Sequence, residues 1–296
     1  MKRSRKIGLV LLAIGVAISA TLVLTPTEPS HDGKTLSEWL NEIDVEAAEI
    51  DTNSPAAHAI HAIGTNALPH VLQRLHTRDS PIREELNNLL ANVPVADLQV
   101  PIASPHWSDQ IRVAYAIHFL GPLAKPIIPE LSAMATNYMD THAASIALAG
   151  IQPEGTDVLV GILTNKNSNA VYFPSAGHIR SRALYGLGHA RLQDNHQISI
   201  ILEYIRDPQL RGSAIMALGT ARQDPNRTIP ILVSILETGD KFDQLYASTA
   251  LFGYGKDAKQ AIPALLTAYS TNSNEFIYMA IEQIDPDALP TRRTAP

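Results

Sequence analysis

The chain has 296 residues and a formal net charge of −6, with 23 Lys and Arg residues against 29 Asp and Glu residues. It contains no cysteine, which excludes disulfides, thiolate metal sites and cysteine nucleophiles. Four of the cations, Lys2, Arg3, Arg5 and Lys6, lie at the extreme N-terminus. The remainder is therefore more acidic still, which argues against the basic surface that nucleic-acid binding requires.

The first 24 residues carry the pattern of a membrane-inserting segment. The basic flank precedes Ile7–Leu24, eighteen residues without a charge. As a helix this segment spans about 27 Å, close to the roughly 30 Å of a hydrocarbon core. We therefore expect a single-pass anchor, with the flank in the cytoplasm and the rest of the chain periplasmic or otherwise extracytoplasmic. The alternative is a signal peptide cleaved at a small-residue site such as Ala17-Ile18-Ser19, followed by secretion.

A polar spacer and a short helix follow the apolar segment. Residues 25–34 read TPTEPSHDGK, a Pro-rich composition that predicts a short extended linker. Residues 35–43 predict an amphipathic helix, because apolar residues recur on one of its faces. The residues of that face are Leu36, Trp39, Leu40 and Ile43. We interpret this helix as the terminal cap of a helical array, the alternative being a docking site at the membrane surface, where Trp is favoured.

One pattern returns six times along the rest of the chain: an apolar helix, a glycine-containing turn and a second apolar helix. Its copies lie at Ala59–Leu75, Tyr115–Met134, Ala144–Leu163, Arg182–Ile205, Ser213–Leu236 and Ser248–Tyr269. The turn glycines are Gly64, Gly121, Gly150, Gly188, Gly219 and Gly255. Recurrence at about 30 to 40 residues is typical of helical solenoids, in which each hairpin buries its apolar face against its neighbours. The sequence thus predicts an all-α fold with essentially no β-sheet.

The turns of this pattern resemble those of HEAT repeats. They share a glycine that ends the first helix and prolines early in the second. The matching stretches are LGPLAKPIIPEL (Leu120–Leu131), GTNALPHVLQRL (Gly64–Leu75) and YGKDAKQAIPALL (Tyr254–Leu266). The resemblance implies a right-handed α-solenoid of about six HEAT-like hairpins over residues 35–290, with a flexible tail at 291–296. The stretch DGKTLSEWL (Asp32–Leu40) further resembles bacterial envelope proteins that carry an N-terminal hydrophobic segment ahead of HEAT repeats.

Two irregular stretches interrupt the pattern. Ser80–Asn92 predicts an isolated helix, and Val93–His106 predicts a crossing loop rich in proline. The insertion Thr164–His178 predicts a loop on one face, where solenoids often bind their partners. Two aromatic residues of the insertion and two arginines just after it are candidate contact residues, although both rings could instead fold onto neighbouring helices. The candidate partner-binding residues are Tyr172, Phe173, Arg180 and Arg182.

The sequence contains no recognisable catalytic constellation. His58 and His61 have a spacing that can ligate a metal, but no acidic residue accompanies them, so their metal binding stays open. The iron-binding HEAT-repeat hydroxylases use His-Glu pairs, and this chain has no His-Glu dipeptide. Gly186-Leu187-Gly188 and Gly253-Tyr254-Gly255 are interpreted as helix caps, not as phosphate-cradling loops. We predict a non-enzymatic protein without a cofactor.

These observations favour an interaction scaffold at the cell envelope, which binds a protein or peptide along the concave face of its repeats. On the HEAT pattern, the second helix of each hairpin lines that face. Those helices are Ala67–Leu75, Ile127–Met134, Asp157–Leu163, Ile198–Ile205, Ile229–Leu236 and Ala261–Tyr269. Two alternatives stay open: a HEAT-like enzyme or enzyme accessory of the chromophore-lyase type, and a structural spacer or oligomerisation element. The sequence identifies no small-molecule substrate.

Overall fold

The computed structural model describes residues 28–45, 50–76, 105–137, 140–165, 175–191 and 196–289; at 105–107 and 175–177 it describes the backbone alone. The described part is mostly helical, which confirms the prediction of a helical fold. The predicted isolated helix at Ser80–Asn92 and the tail at 291–296 lie outside the described residues.

The N-terminal anchor also falls outside this part of the chain. Within the described ranges, no helix has both the length and the apolar character needed to cross a bilayer. The segment Ile7–Leu24 is not among the residues described.

A small hairpin replaces part of the predicted extended linker. Strand β1 (Ser30–His31) pairs antiparallel with β2 (Lys34–Thr35). The two turn residues, Asp32 and Gly33, adopt φ angles of +48° and +78°. A two-residue hairpin turn whose twist matches that of its strands requires two consecutive positive φ angles. Asp-Gly is a favoured sequence for such a turn. The linker was expected to be extended because its Pro-rich composition masked this turn.

The helix predicted after the linker is present as α1 (Leu36–Asn41). Thr35 and Glu38 form a capping box, in which each side chain accepts a hydrogen bond from the other residue's backbone N–H. All four residues of the predicted apolar face are buried. The Trp39 indole Nε1–H donates to the His31 carbonyl at 3.0 Å, and Lys34 Nζ lies 4.4 Å from the Trp39 ring centroid. Trp39 is therefore part of the core, as expected of a terminal cap.

Thirteen further helices follow in the described residues, most of them short. They are α2 Pro55–Ile63, α3 Leu68–His76, α4 Pro105–Leu120, α5 Ile128–Ala135, α6 Thr141–Gly150, α7 Glu154–Thr164, α8 Ser175–His189, α9 His196–Glu203, α10 Arg211–Ala221, α11 Pro225–Thr238, α12 Lys241–Tyr254, α13 Ile262–Thr271 and α14 Glu275–Ile284. Short 3₁₀ segments lie at Gly64–Ala67, Gly121–Ile127, Tyr204–Arg206, Gly255–Ala261 and Pro286–Ala288.

The helices pack in an order that follows the chain. The even-numbered helices from α2 to α14 form a row in which each contacts the next. Each odd-numbered helix from α3 to α13 contacts the even-numbered helix that follows it. A continuous core of mainly Ala, Leu and Ile side chains runs through these contacts. The small size of alanine allows the row helices to pack closely.

An ion pair connects α3 with α4, and the same arginine also contacts α1. The Arg74 guanidinium on α3 contacts the Asp109 carboxylate on α4 through Nη2–Oδ1 at 2.5 Å and Nε–Oδ2 at 3.3 Å. Its Nη1 also donates to Ser37 Oγ on α1 at 3.2 Å. A guanidinium is suited to this role because its planar N–H groups match the two oxygens of a carboxylate.

The glycines of the repeated pattern have two different roles. Gly64, Gly121 and Gly255 end their helices with φ angles of +66°, +56° and +54°, as predicted for caps. In contrast, Gly219 lies inside α10, where a Cβ would be 2.4 Å from Ala250 Cα on α12. At Gly150, likewise, a Cβ would lie 2.5 Å from His118 Cα.

The remaining glycines predicted as turns or caps behave like Gly219. Gly186 and Gly188 lie inside α8, and Gly253 lies inside α12. A Cβ at Gly253 would meet the Gly219 carbonyl oxygen at 2.5 Å, and one at Gly186 would meet the Ser145 carbonyl oxygen at 2.6 Å. The prediction that these three glycines end helices was wrong. They are needed because neighbouring row helices touch backbone to backbone there.

Candidate functional site

A surface cavity of about 550 Å³ opens across three consecutive row helices. We call it the α8–α12 cavity. Its lining residues are His178, Ser181, Arg182 and Tyr185 of α8, Pro208 and Gln209 before α10, Gly212, Ser213 and Met216 of α10, and Tyr246 of α12. The volume falls within the range of roughly 300–1,000 Å³ that is usual for ligand pockets.

The wall contributed by α12 depends on a glycine of α10. A Cβ at Gly212 would lie 2.6 Å from Cε2 and 2.9 Å from Cδ2 of the Tyr246 ring. The absence of a side chain at Gly212 therefore lets this ring lie against the first turn of α10. Phe242 stands one helical turn before Tyr246 and is 69% exposed, so the two aromatic residues share a face of α12.

Arg182 supplies the positive charge of the cavity. Its Nη1 donates to His142 Nδ1 on α6 at 3.2 Å, and its Nε lies 3.5 Å from His178 Nε2 on α8. Both imidazole nitrogens act as acceptors, so both rings are neutral while they hold the guanidinium. Among the described residues, no carboxylate forms an ion pair with Arg182.

The acidic residues that lie next to the cavity in sequence are paired with other arginines. Asp207, which precedes Pro208, forms an ion pair with Arg180 at 3.5 Å. Asp243, one turn before Tyr246, pairs with Arg211 at 2.9 Å. The described residues that line the cavity include no Asp or Glu. The α8–α12 cavity is therefore locally positive on a chain whose net charge is −6.

A row of rings extends from the cavity into the core. The Tyr185 ring centroid lies 4.9 Å from that of His142 and 4.6 Å from that of His189. Burial lowers the pKa of His142 to about 4, with the nearby Arg182 charge adding to the effect. Burial also lowers the pKa of His189 to about 3, and burial raises that of the Tyr185 hydroxyl. At neutral pH all three rings are therefore uncharged, so none of them adds a charge beside the Arg182 guanidinium.

One buried atom of this row has its hydrogen-bonding capacity unused. His189 is only 9% exposed, and its Nε2 has no hydrogen-bond partner in the described structure. Leaving such an atom unpaired costs about 1–3 kcal/mol. The row is thus held in place by packing around it and not by complete hydrogen bonding.

The structure separates the two arginines that the sequence proposed as partner contacts. Arg182 lines the cavity, whereas Arg180 is engaged within the protein. Arg180 donates to the Leu163 carbonyl at 3.2 Å and stacks 5.7 Å from the Tyr204 ring centroid, in addition to its ion pair with Asp207. Tyr172 and Phe173 lie outside the described residues, and their role stays a prediction.

Sequence reasoning missed most of the cavity wall. Tyr185, Met216 and Tyr246 lie in apolar helices, where a large side chain is expected to belong to the core. Aromatic residues make up only 5% of the chain, so Phe242 and Tyr246 one turn apart on α12 were a detectable signal. His178, the last residue of the predicted loop, lines the cavity but lies in α8, which begins at Ser175, so the loop prediction was wrong at this end. The predicted partner face on the second helices does not contribute to it.

The histidine pair considered for metal binding is not part of a group of three or more candidate ligands in the described structure. His58 is exposed, and His61 Nδ1 lies 3.1 Å from the Phe119 carbonyl oxygen. Across the described ranges, no group of three or more His, Cys, Asp or Glu residues could hold a metal ion.

No protein-family model matches this chain, and neither does any curated protein.

Proposed function

We propose that this protein is a non-enzymatic interaction scaffold that binds a protein or peptide partner. On this proposal the helices form a right-handed, HEAT-like solenoid over residues 35–290. The ordered contacts between successive row helices, and between each odd-numbered helix and the next row helix, support that arrangement. Such arrays display side chains from many repeats along one surface.

The observation that carries the proposal is the α8–α12 cavity. Three repeats contribute to it, and it combines aromatic and thioether walls with a single cation that has no carboxylate partner in the described structure. Binding hot spots are enriched in Tyr and Arg within partly enclosed pockets. We therefore propose Tyr246, Met216 and Arg182 as partner contacts. The exposed Phe242 extends this surface beyond the cavity.

We further propose that the scaffold is held at the cell envelope by Ile7–Leu24. The order of basic flank, uncharged apolar segment and Pro-rich spacer supports a single-pass anchor with the helices outside the cytoplasm. Replacing Leu11 and Ile14 together by Arg should release the protein into the soluble fraction or block its export. If protease added to spheroplasts leaves the helical part of this protein intact while it cuts a periplasmic control protein, the proposed orientation is wrong.

Site-specific photocrosslinking tests the scaffold function. The photoreactive amino acid p-benzoyl-phenylalanine is placed at Met216 in the cavity, or at the exposed Ser234 on the second helix α11. We expect a discrete adduct with one protein from at least one position, and the purified partner should rebind the purified chain. If neither position gives an adduct that depends on ultraviolet light, the interaction function is contradicted. An adduct from Ser234 alone would favour the second-helix face over the cavity.

A further inference from the structure

We propose that the α8–α12 cavity binds a carboxylate group of the partner peptide, held by Arg182, with an adjacent apolar side chain against Tyr246 and Met216. This inference rests on the proposed scaffold function and names the chemistry that the cavity recognises.

The charge of the cavity selects an anion. The Arg182 guanidinium is a cation, and its two imidazole partners accept its hydrogen bonds as neutral rings, so they add no charge of either sign. Asp207 and Asp243, which lie close to cavity residues in the sequence, form ion pairs with Arg180 and Arg211. An anion entering the cavity therefore meets one uncompensated positive charge and displaces no existing ion pair.

The guanidinium is already oriented for this task. Its Nε faces His178 and its Nη1 donates to His142, so two of its five N–H groups are committed to the protein. Within the described structure, Nη2 makes no hydrogen bond. One N–H of Nη1 and both N–H groups of Nη2 are left, so the guanidinium can still donate two hydrogen bonds to a carboxylate. Its orientation requires little ordering on binding, which favours affinity.

The size of the charge favours a carboxylate over a phosphate group. A phosphate monoester carries about 1.5 to 2 negative charges near pH 7 and is usually bound by a cluster of cations. The cavity offers one guanidinium together with the first turn of α10 at Gly212 and Ser213. The first backbone N–H groups of a helix lack intrahelical partners and carry partial positive charge, which suits a singly charged group.

The walls of the cavity suit the residue that carries the carboxylate. Tyr246 and Met216 form an apolar surface beside Arg182, and Phe242 continues it outward along α12. Tyrosine and methionine bind apolar side chains well, since the first gives a flat amphipathic surface and the second adapts its shape. A C-terminal apolar residue of the partner would supply both the carboxylate for Arg182 and the apolar side chain for the walls. An internal Asp or Glu beside an apolar residue is the second source of the same chemistry.

Small carboxylate probes test the inference on the full-length chain in detergent micelles. Saturation-transfer NMR would measure binding of N-acetyl-leucine, N-acetyl-leucinamide and the α-amide of N-acetyl-glutamic acid at constant ionic strength. We expect saturable binding of N-acetyl-leucine and at least tenfold weaker binding of its amide. Comparable binding of the glutamic acid derivative would assign the site to side-chain carboxylates, and weaker binding would assign it to a chain terminus.

The variants separate the cavity charge from general charge effects. Arg182→Gln should weaken binding of N-acetyl-leucine at least tenfold, and Arg182→Lys should weaken it less. Arg227→Gln is the matched control, because Arg227 is an exposed arginine on α11 that donates to Ser199 Oγ at 3.1 Å. It should leave binding unchanged. Tyr246→Ala gives a second test that leaves the charge in place, and it should weaken N-acetyl-leucine binding as well.

Two outcomes would overturn the inference. The first is equal affinity for N-acetyl-leucine and its amide. The second is displacement of N-acetyl-leucine by inorganic phosphate at phosphate concentrations far below the dissociation constant of N-acetyl-leucine. Either result, combined with a retained crosslink from Met216, would refute carboxylate recognition while leaving the scaffold function intact. Loss of both the probe binding and every crosslink would refute the two proposals together.

Discussion

The close contact between row helices predicts an unusual response to alanine at Gly219. Alanine normally stabilises a helix by about 1 kcal/mol relative to glycine. At Gly219, however, the new methyl group would lie 2.4 Å from Ala250 Cα and 2.8 Å from Ala250 Cβ. The nearest atom belongs to the backbone, so α10 and α12 must move apart to accommodate it. Overpacking of this kind costs about 1–3 kcal/mol, and we take the upper end because a helix has to shift.

Subtracting the helix-propensity gain leaves a net loss of about 2 kcal/mol for Gly219→Ala. Gly161→Ala is the matched control, because Gly161 lies in the exposed part of α7 and a Cβ there meets nothing within 4 Å. This control should gain about 0.5–1 kcal/mol. Thermal unfolding followed by circular dichroism should place the melting temperature of Gly219→Ala roughly 4–8 °C below that of the parent. Equal stabilisation by both substitutions would refute the backbone contact between α10 and α12.

Three further predictions test other parts of the structure. Asp109→Asn should lower the free energy of unfolding in urea by about 1–2 kcal/mol, because the half-buried Arg74 loses its charged partner, and a loss below about 0.3 kcal/mol would contradict that role. Because the His142 pKa is lowered to about 4, the unfolded chain binds a proton between about pH 6.5 and 4 that the folded chain does not, so stability falls as the pH falls through this range. His142→Gln should flatten that dependence by up to about 1.4 kcal/mol per pH unit, and an unchanged slope would show that another group is responsible. Gly212→Ala should displace the Tyr246 ring and weaken N-acetyl-leucine binding severalfold while changing the melting temperature little, and the reverse pattern would place this ring in the core.

Much of the helical structure could be predicted because its signals are local. Runs of Ala, Leu and Ile at helical spacing identify the helices, and the apolar residues Leu36, Trp39 and Leu40 correctly predicted the buried face of α1. The roles of the glycines could not be predicted in the same way. Gly255 and Gly219 both follow an apolar run, yet one ends a helix and the other lies inside one. The difference is set by the neighbouring helix, which local sequence does not reveal.

The candidate site was predicted only in part for a related reason. Arg180 and Arg182 are two positions apart, so helical geometry places them on different faces of α8. The sequence alone does not say which face meets a carboxylate of the protein and which faces a cavity. That distinction depends on Asp207, which lies 27 positions after Arg180 in the sequence, and on the open space left beside Gly212. The cavity is a product of three repeats, so no single repeat contains its pattern.

The most direct test of the scaffold function is a binding measurement with the purified partner identified by crosslinking. Isothermal titration calorimetry of the full-length chain should show a saturable complex of defined stoichiometry. Arg182→Gln should weaken that complex at least tenfold, and the matched Arg227→Gln should leave it unchanged. A partner that shows no saturable binding to the purified chain would contradict the interaction function.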